Sequence, residues 1–594
     1  MTNFKHCLWL LLCVSWHSGV WAVDTPAIKV LAHCTAAKAS WDKISGATGY
    51  ELWYKSTDQH QDWQQTVLDA NATEFAVKLS DDAHFYVSLL ALRGNERSGF
   101  APTQVLHTGN FLLPPRQKIA QDGLKATLSW NPIPGTEHYA LWYSFDVGAN
   151  WQRTTLNSAQ HSLSVDLWYG AFVKTAMQSI DAQGQASRFS EIIDVVTGPP
   201  TVTANFNRPL QNDAIVPVFP AVAAGKYSAV LQDCVYSKER RESCLLKRLP
   251  LLGQEIANPT VEDIMARTLV SHSWMSERFR QFLQLLPADA LKLFRAVTAV
   301  VIASDIRPAL YQSTTGAIYL DANNLLLQTD TQETVATVST TPDFRVGCAD
   351  SLSYKHLFRY VKQNMPAYHP EISARTLQDV LYLTARVVMH ELAHANDVFP
   401  PATLSALGLD NSVQAAAEVN ITQRISFQLR QFFPLLADVL KYQGDVRFAC
   451  TSATCQQTSM RAQQIAEAFA PDTANDLYGF SNVQEDLAML AEETMMLYFL
   501  GAERDIAFSD AEFIVQWGQR RRIAAPQLLA KTKFIMRNLL PEVDFGRYLE
   551  GLAPPLVMQV GKSWGDNLVL PSTAKSRKAG MLVPDRAEQF IDYQ

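Results

Sequence analysis

Several features that would place this 594-residue chain in a common protein class are absent from it. After residue 22, no stretch approaches the roughly 18 consecutive apolar residues that a membrane-spanning helix needs. The formal net charge of -7 leaves no excess of basic residues that would indicate a nucleic-acid partner. No two cysteines have the CxxC spacing of a cysteine zinc site. We therefore expect a soluble mature protein without nucleic-acid binding.

The first 22 residues have the pattern of a secretory signal peptide. The apolar stretch CLWLLLCV is followed by VWA, which places the small residue Ala22 before the expected cleavage point. The stretch is too short to span a bilayer, and a signal anchor is the alternative. We predict export of the chain to the periplasm, the cell surface or the medium.

The cysteines outside this segment predict disulfides, because an even number in an exported protein favours pairing. They are Cys34, Cys234, Cys244, Cys348, Cys450 and Cys455. The short spacings predict the pairs Cys234–Cys244 and Cys450–Cys455, which leaves Cys34 with Cys348.

An internal repeat lies in the N-terminal third of the chain. WDKISGATGYELWYKS starts at Trp41, and WNPIPGTEHYALWYSF starts at Trp130. Each copy has a Trp, a later Tyr, and then x-Leu-Trp-Tyr, with short alternating apolar segments and turn residues around it. This pattern is typical of an antiparallel sandwich of about a hundred residues.

Both copies resemble fibronectin type III domains, which implies modules over residues 23–110 and 111–198 that space, anchor or bind. The aromatic residues Trp63, Trp151 and Trp168 can contact a surface or carbohydrate partner or pack in the core, and packing is favoured.

Beyond the linker TGPPTV the pattern becomes helical, and we predict one mainly helical domain over residues 199–550. Apolar residues recur at three- and four-residue spacing in the segments 260–270, 275–286, 288–303 and 374–399. STTGAIYLD, residues 313–321, is the one β-rich exception. Residues 551–594 are weakly patterned and form a C-terminal extension.

The motif HELAH, residues 390–394, lies near the end of the helix predicted from Thr376 to about Val398. His390 and His394 are one turn apart on one face, so their imidazoles can converge on one Zn²⁺ ion. In this H-E-x-x-H arrangement Glu391 is the general base that takes a proton from the attacking water. Asp397 follows one turn later on the same face.

A catalytic zinc site needs a third protein ligand, and the chain has no histidine after His394. This absence excludes the HExxHxxGxxH type of site and points to a later carboxylate, unless a ligand comes from the N-terminal side of the motif. The candidates are Glu418, Glu467, Glu485 and Glu492. We favour Glu485 over Glu418 because it opens a second apolar helix, residues 483–501, with Ser481 or Asn482 as its cap. A capping carboxylate without a metal is the alternative for Glu485.

Tyr478 precedes this helix, and its phenol can donate a hydrogen bond to the oxyanion of a tetrahedral intermediate.

VVMHELAHANDVF and YGFSNVQEDLAMLAEE together resemble the gluzincin metallopeptidases of the anthrax lethal factor and Mlc titration factor group. The resemblance implies that His390, His394 and Glu485 bind zinc, Glu391 is the base and Tyr478 stabilises the transition state. It also implies that Asp397 contacts the metal ligands without binding the metal itself. In the broader thermolysin-like pattern an Asp follows the ligand Glu by four residues. Met489 occupies that position here, and Asp486 could take the role of this Asp only from a different helix face.

Zinc peptidases of this type resemble one another in having an edge strand beside the motif helix, on which an extended substrate can pair. Our candidate is the stretch Gly316, Ala317, Ile318, Tyr319, with an ordinary core strand as the alternative.

The expected fold is therefore multidomain, with two all-β fibronectin type III-like sandwiches followed by a mainly α-helical zincin-like domain with a small β-sheet. The expected function is an exported zinc-dependent peptidase acting on a protein or peptide substrate. Two alternatives are a non-catalytic surface or adhesion protein with a structural metal site, and a zinc amidase acting on cell-wall material.

Overall fold

The computed structural model describes residues 23–33, 36–57, 62–79, 83–94, 96–107, 112–122, 124–145, 150–168, 171–197, 218–237, 243–338, 343 and 345–570. The predicted signal peptide and Cys34 lie outside these residues. Two compact units are present, one ending at Asn110 and one beginning at Phe111. Among the described residues, no helix combines the length and apolar character needed to cross a membrane.

The first unit is an antiparallel sandwich of two sheets. Its strands are β1 (Ile28–His33), β2 (Ala36–Trp41), β3 (Gly49–Ser56), β4 (Gln64–Asp69), β5 (Glu74–Lys78), β6 (His84–Arg93), β7 (Glu96–Arg97) and β8 (Gln104–His107). One sheet has the order β1-β2-β5 and the other β4-β3-β6-β7, with β8 also paired to β6.

A second sandwich of the same arrangement opens the second unit. Its strands are β9 (Gln117–Asp122), β10 (Lys125–Trp130), β11 (His138–Ser144), β12 (Gln152–Asn157), β13 (Ser162–Asp166), β14 (Phe172–Ile180) and β15 (Ile193–Val196). The sheets have the orders β13-β10-β9 and β12-β11-β14-β15. The two sheet pairs confirm the predicted sandwich fold.

The repeated residues form the centre of each sandwich. In the first copy Trp41 and Tyr50 are buried with ring centroids 5.6 Å apart, and the Tyr50 hydroxyl accepts a hydrogen bond from the Ile44 amide. In the second copy Trp130 and Tyr139 lie 5.8 Å apart, and Tyr139 accepts from the Ile133 amide. The repeat is therefore a packing signature in which each phenol also holds the adjacent turn.

Core packing is the wrong prediction for two of the three singled-out tryptophans. Trp63 and Trp168 are 40% and 56% exposed, while Trp151 is half-buried. The alternation of apolar residues along a strand identifies its core face, but these three lie at or beyond strand ends, where that alternation carries no information.

The rest of the second unit combines helices with two five-stranded sheets. The helices are α1 (Ser228–Val235), α2 (Leu252–Glu255), α3 (Val261–Met265), α4 (Ser273–Leu285), α5 (Ala288–Leu291), α6 (Gln332–Ala336), α7 (Leu377–Val398), α8 (Val413–Val419), α9 (Ile425–Phe432), α10 (Asp438–Phe448), α11 (Cys455–Ser459), α12 (Ala462–Phe469), α13 (Val483–Leu500), α14 (Pro526–Leu539) and α15 (Phe545–Glu550). Short 3-10 helices lie at Lys292–Ala296, Ala322–Leu325, Ile372–Ala374, Pro401–Ala406, Ile421–Gln423, Leu477–Phe480, Arg522–Ala524 and Asp566–Leu568.

The strands of these sheets are β16 (Phe219–Pro220), β17 (Thr268–Val270), β18 (Ala299–Ala303), β19 (Leu310–Gln312), β20 (Ala317–Asp321), β21 (Lys355–Lys362), β22 (Met365–Pro366), β23 (Glu503–Ser509), β24 (Val515–Arg520) and β25 (Leu556–Val557). One sheet has the order β16-β17-β18-β20-β19 and the other β22-β21-β23-β24-β25. Strand β25 brings part of the predicted C-terminal extension into the second sheet.

The helical prediction for residues 288–303 is wrong in its second half, where β18 forms a fully buried parallel strand. Its sequence AVVIA is apolar at every position, and a strand buried on both faces gives no alternating pattern. Periodicity alone does not separate such a run from a buried helix.

The disulfides differ from the prediction at one pair. Cys234 is bonded to Cys244 as predicted, whereas Cys450 is bonded to Cys348 and not to Cys455. The predictions Cys450–Cys455 and Cys34–Cys348 are therefore wrong. Pairing by sequence proximity fails here because the fold brings Cys348 and Cys450 to a Cα–Cα distance of 4.9 Å across a separation of 102 residues.

The second sandwich is docked on helix α10 through a buried carboxylate. Asp445 lies in contact with the guanidinium of Arg116, and its Oδ2 atom accepts a hydrogen bond of 2.6 Å from Arg188. The Tyr442 hydroxyl donates to the Pro114 carbonyl at 2.9 Å. This sandwich is thus integrated into the unit that carries the histidine motif.

Candidate metal centre

Helix α7 places the two motif histidines on one buried face. Thr376 and Asp379 form a capping box at its start, since each side chain accepts a hydrogen bond from the other residue's backbone amide. The helix then runs to Val398, which confirms the predicted helix. His390 is 7% exposed, and the imidazole centroids of His390 and His394 lie 4.9 Å apart.

Helix α13 brings Glu485 to these histidines. Asn482 caps it by accepting a hydrogen bond from the Glu485 amide at 2.9 Å, and the left-handed Gly501 ends it. The helix packs against α7 in the same apolar core, to which Val388, Leu392 and Leu487 belong. Glu485, in the first turn of α13, therefore lies beside the last two turns of α7.

The three side chains form a group that can hold a metal ion. Oε2 of Glu485 lies 3.0 Å from Nε2 of His390 and 3.4 Å from Nε2 of His394, and the two Nε2 atoms are 3.2 Å apart. Ligands held tetrahedrally at 2.0–2.1 Å from Zn²⁺ are about 3.3 Å from one another. The three separations match those of zinc ligands, and the donor set of two imidazoles and one carboxylate fits zinc.

His390 is oriented by a second carboxylate. Its Nδ1 atom lies 3.1 Å from Oε2 of Glu492, and the other oxygen of Glu492 accepts a hydrogen bond of 2.9 Å from Tyr360. A metal-binding histidine whose outer nitrogen donates to a carboxylate has its tautomer and ring orientation set. From the sequence, Glu492 is named only as a candidate metal ligand, and this orienting role is missed. The available signal is its seven-residue spacing from Glu485, which places both carboxylates on one face of α13.

The predicted supporting role of Asp486 is wrong. Its buried carboxylate contacts Nζ of Lys531 on α14, and no contact joins it to the histidines within the described residues. Asp486 follows Glu485 directly, so it projects about 100° around the helix from the metal group. The carboxylate that supports His390 is that of Glu492.

The other candidate third ligands lie elsewhere. Glu418 on α8 accepts a hydrogen bond from Gln414, and Glu467 on α12 accepts one from Gln463. Neither carboxylate joins the metal-binding group of the described residues.

The charge state of the metal-free group is set by its carboxylates. Burial acts to lower the pKa of His390, but contacts with Glu485 and Glu492 raise it to about 10. Although burial opposes the shift, His394 and His390 hold the pKa of Glu485 far below its ordinary value.

Glu391 and Tyr478 both line the cavity in front of this group. Burial raises the pKa of Glu391, against the lowering effect of His390 and His394. Burial and the charge of Glu485 raise the pKa of Tyr478, which keeps its phenol protonated as a donor. The Tyr478 ring stacks on His390 with centroids 6.1 Å apart.

The position of Tyr478 is set by a buried ion pair. Asp476 accepts a hydrogen bond from the Tyr478 amide at 2.8 Å and is paired with Arg504 at 2.6 Å. Phe448, at the end of α10, packs edge-on against the tyrosine ring at 4.7 Å.

Asp397 is held by helix α9 and makes no hydrogen bond to His394 within the described residues. Its two oxygens accept hydrogen bonds of 2.6 Å from the amide and the hydroxyl of Ser426. Its side chain also lines the cavity. Asp397 therefore tethers the start of α9 to the end of α7.

The predicted substrate strand is not at a sheet edge. Residues 317–319 lie in β20, which is buried and hydrogen-bonded to β18 on one side and β19 on the other, and Gly316 precedes it. The core alternative is therefore correct. The edge strand next to β20 is β19, and its residues Leu310, Tyr311 and Gln312 line the cavity. Side chains of β20 are buried on both faces of the sheet, since Ile318 and Leu320 belong to one apolar core and Ala317 and Tyr319 to another.

Four arginines around the cavity are further residues that sequence reasoning missed. The cavity has a volume of about 520 Å³, and Arg307, Arg345, Arg386 and Arg424 line it together with the metal group. They come from four separate segments of the chain, so no local sequence pattern connects them.

No protein-family model and no curated protein matches the chain. Among solved structures, it is similar to the chicken CNTN1 FN1–FN3 domains at 15% identity, covering 30% of this chain and 68% of that one, with a TM-score of 0.14. It is also similar to a two-domain fibronectin type III segment from chicken tenascin at 20% identity, covering 29% and 98%, with a TM-score of 0.17.

Proposed function

We propose that this chain is an exported zinc-dependent metallopeptidase that hydrolyses a peptide bond in a protein or peptide substrate. The observation that carries the proposal is the convergence of His390, His394 and Glu485 within 4.8 Å, at the wall of a cavity that Glu391 also lines. Three protein donors and an adjoining cavity are the arrangement of a catalytic zinc site, whereas structural sites use four protein ligands.

When bound, Zn²⁺ supplies Lewis acidity that polarises the scissile carbonyl and lowers the pKa of water. Glu391 takes the proton of the attacking water and returns it to the leaving amine. Tyr478 donates its phenolic proton in a hydrogen bond to the developing oxyanion. Glu492 holds His390 in the tautomer that presents Nε2 to the cavity.

Strand β19 supports a peptide as the substrate. It is the last strand of its sheet, so its outer edge is available for an added strand, and it lines the same cavity as the metal group. An extended peptide paired with Leu310–Gln312 would lie across the metal group with its backbone held by main-chain hydrogen bonds. Export is supported by the two disulfides, which persist in oxidising compartments.

Metal content and cleavage of a peptide mixture test the proposal together. The parent protein is expected to bind one zinc ion and cleave, Glu391→Gln to keep the metal and lose cleavage at least a hundredfold, and His390→Ala to lose both. Glu467→Gln is the matched control, because this glutamate lies on α12, outside the metal group, and accepts a hydrogen bond from Gln463.

Three outcomes would contradict the proposal. Full activity in Glu391→Gln would exclude the assigned base. Tight zinc without cleavage of any peptide would favour a non-catalytic protein, and cleavage restricted to cell-wall fragments would favour an amidase.

A further inference from the structure

Three of the four arginines that line the cavity are engaged by neighbours. Arg307 donates to both oxygens of Asp321, at 2.7 and 3.2 Å. Arg345 is paired with Asp343 through Nε and Nη2. Arg386 lies over the Phe358 ring at 5.5 Å, and its charge acts on Glu492.

Arg424 differs from these three. Its Nη2 atom donates to the Ala417 carbonyl at 3.0 Å, but its Nε atom is buried without a hydrogen-bond partner. No carboxylate of the described residues lies within ion-pair distance of it. A buried donor left unpaired costs free energy until a ligand acceptor satisfies it.

The position of Arg424 beside the metal group is fixed by Asp397. Arg424 immediately precedes α9, and the two hydrogen bonds from Ser426 to Asp397 hold this end of α9 against the helix turn that follows His394. Arg424 therefore lines the same cavity as His394.

Tyr311 is a second residue of the same cavity lining with a buried donor that has no hydrogen-bond partner among the described residues. The Tyr311 hydroxyl, on the edge strand β19, is buried and makes no hydrogen bond. Its electrostatic neighbours are Arg424 and Asp397, and burial raises its pKa, so it remains a protonated donor. Tyr311 and Arg424 thus offer an O–H and an N–H donor from two elements that border the cavity.

We infer that Arg424 and Tyr311 form a carboxylate-binding subsite beside the metal group, so that the enzyme selects peptides carrying a carboxylate next to the scissile bond. A guanidinium matches the planar carboxylate, and the tyrosine adds a donor to the same group. The inference rests on the proposed peptidase function.

The carboxylate has two sources in a peptide, which are an acidic side chain and the C-terminal carboxylate. An acidic side chain would make the enzyme an endopeptidase with a preference for Asp or Glu near the cleaved bond. A C-terminal carboxylate would make it an exopeptidase that releases short C-terminal fragments.

Affinity selection on the zinc-loaded Glu391→Gln protein measures this preference without requiring turnover. The probe is a random octapeptide library with acetylated N-termini, prepared once with amidated and once with free C-termini, and bound peptides are identified by mass spectrometry. We expect enrichment of about tenfold or more either for acidic residues at one position of the amidated library or for free over amidated C-termini.

Substitutions at Arg424 then identify the responsible residue. Arg424→Ala is expected to abolish the enrichment, Arg424→Glu to replace it by enrichment of Lys or Arg, and Tyr311→Phe to reduce it severalfold. If Arg424→Ala does not fold, Arg424→Lys takes its place in the test. This variant keeps the charge and should retain part of the preference. Arg430→Ala is the matched control on α9, since Arg430 pairs with Glu191 away from the cavity. Zinc content should be unchanged in all of these proteins.

The outcomes separate this subsite from the proposed function. Equal binding of acidic and neutral peptides with either terminus, or an enrichment that survives Arg424→Ala, overturns the subsite even when the parent protein cleaves peptides. Absence of cleavage by a zinc-loaded parent protein contradicts the peptidase proposal, whereas the binding preference of the Glu391→Gln protein still decides the subsite.

Discussion

The Nδ1 atom of His390 lies 3.1 Å from the Oε2 atom of Glu492. The Nε2 atom of the same imidazole lies 3.0 Å from the carboxylate of Glu485, which precedes Glu492 by two turns of α13. One helix thus provides both the carboxylate that can share a metal ion with His390 and the carboxylate that orients it. Tyr360 completes this arrangement by donating to Glu492.

Removing the orienting carboxylate should weaken metal binding without abolishing it. Glu492→Gln is expected to lower zinc affinity and peptidase activity by about 10- to 100-fold, because His390 loses its charged partner. Competition with a chelator measures the zinc dissociation constant. The matched control is Glu493→Gln on the same helix, since Glu493 binds Asn475 and the Ile523 amide. Equal effects of the two substitutions would show that Glu492 acts only through stability.

Zinc affinity should increase with pH. The contacts with Glu485 and Glu492 raise the pKa of His390 to about 10, so metal-free protein retains a proton on this residue below that pH. The proton must leave when Nε2 binds a metal, and the association constant is therefore expected to rise about tenfold per pH unit for one released proton. Titrations with zinc from pH 5.5 to 7.5, in buffers of different ionisation enthalpy, measure the slope and the released protons. An affinity independent of pH would contradict this linkage.

The docking of the second sandwich should depend on Asp445. Asp445→Asn removes the charge that Arg116 and Arg188 share. We expect the free energy of unfolding to fall by about 2–4 kcal/mol. This is somewhat less than the roughly 3–5 kcal/mol for breaking a fully buried pair, because Arg188 is partly exposed. Urea unfolding followed by tryptophan fluorescence measures the change. The more exposed pair of Lys118 and Asp438, at 3.9 Å, provides the control, and Lys118→Ala should cost less than about 1 kcal/mol.

The same substitution should also affect the cavity beside the metal group. Asp445 and Phe448 both lie on α10, and Phe448 packs on Tyr478. Asp445→Asn should therefore also lower the rate of peptide cleavage while leaving zinc content unchanged. Unaltered kinetics in a destabilised protein would show that the sandwich does not position this wall of the cavity.

The disulfide between Cys348 and Cys450 can be identified by peptide mapping. Trypsin under non-reducing conditions should yield a linked pair of peptides spanning residues 346–355 and 448–461. A bridge between Cys450 and Cys455 would instead remain inside the single peptide 448–461. Reduction of the parent protein should also destabilise the second unit, since loss of a native disulfide typically costs about 2–5 kcal/mol.

Much of the local structure could be predicted from the sequence. The 3.6-residue period determines that His390, His394 and Asp397 share one face near the C-terminal end of one helix, and the repeated Trp and Tyr determine the two sandwiches. The caps at Thr376 and Asn482 are also local, because a cap satisfies backbone groups within its own first turn. Each of these features depends on residues that are close in sequence.

Only the tertiary structure decided which distant residues meet. It selected Glu485 over Glu418 as the carboxylate beside the histidines, replaced Asp486 by Glu492, and paired Cys348 with Cys450. It also made β19 the edge strand instead of β20 and placed Arg424 beside Tyr311 in the cavity. The physical reason is that these relationships follow from how helices and sheets pack, and packing depends on the whole apolar core and not on the spacing of residues along the chain.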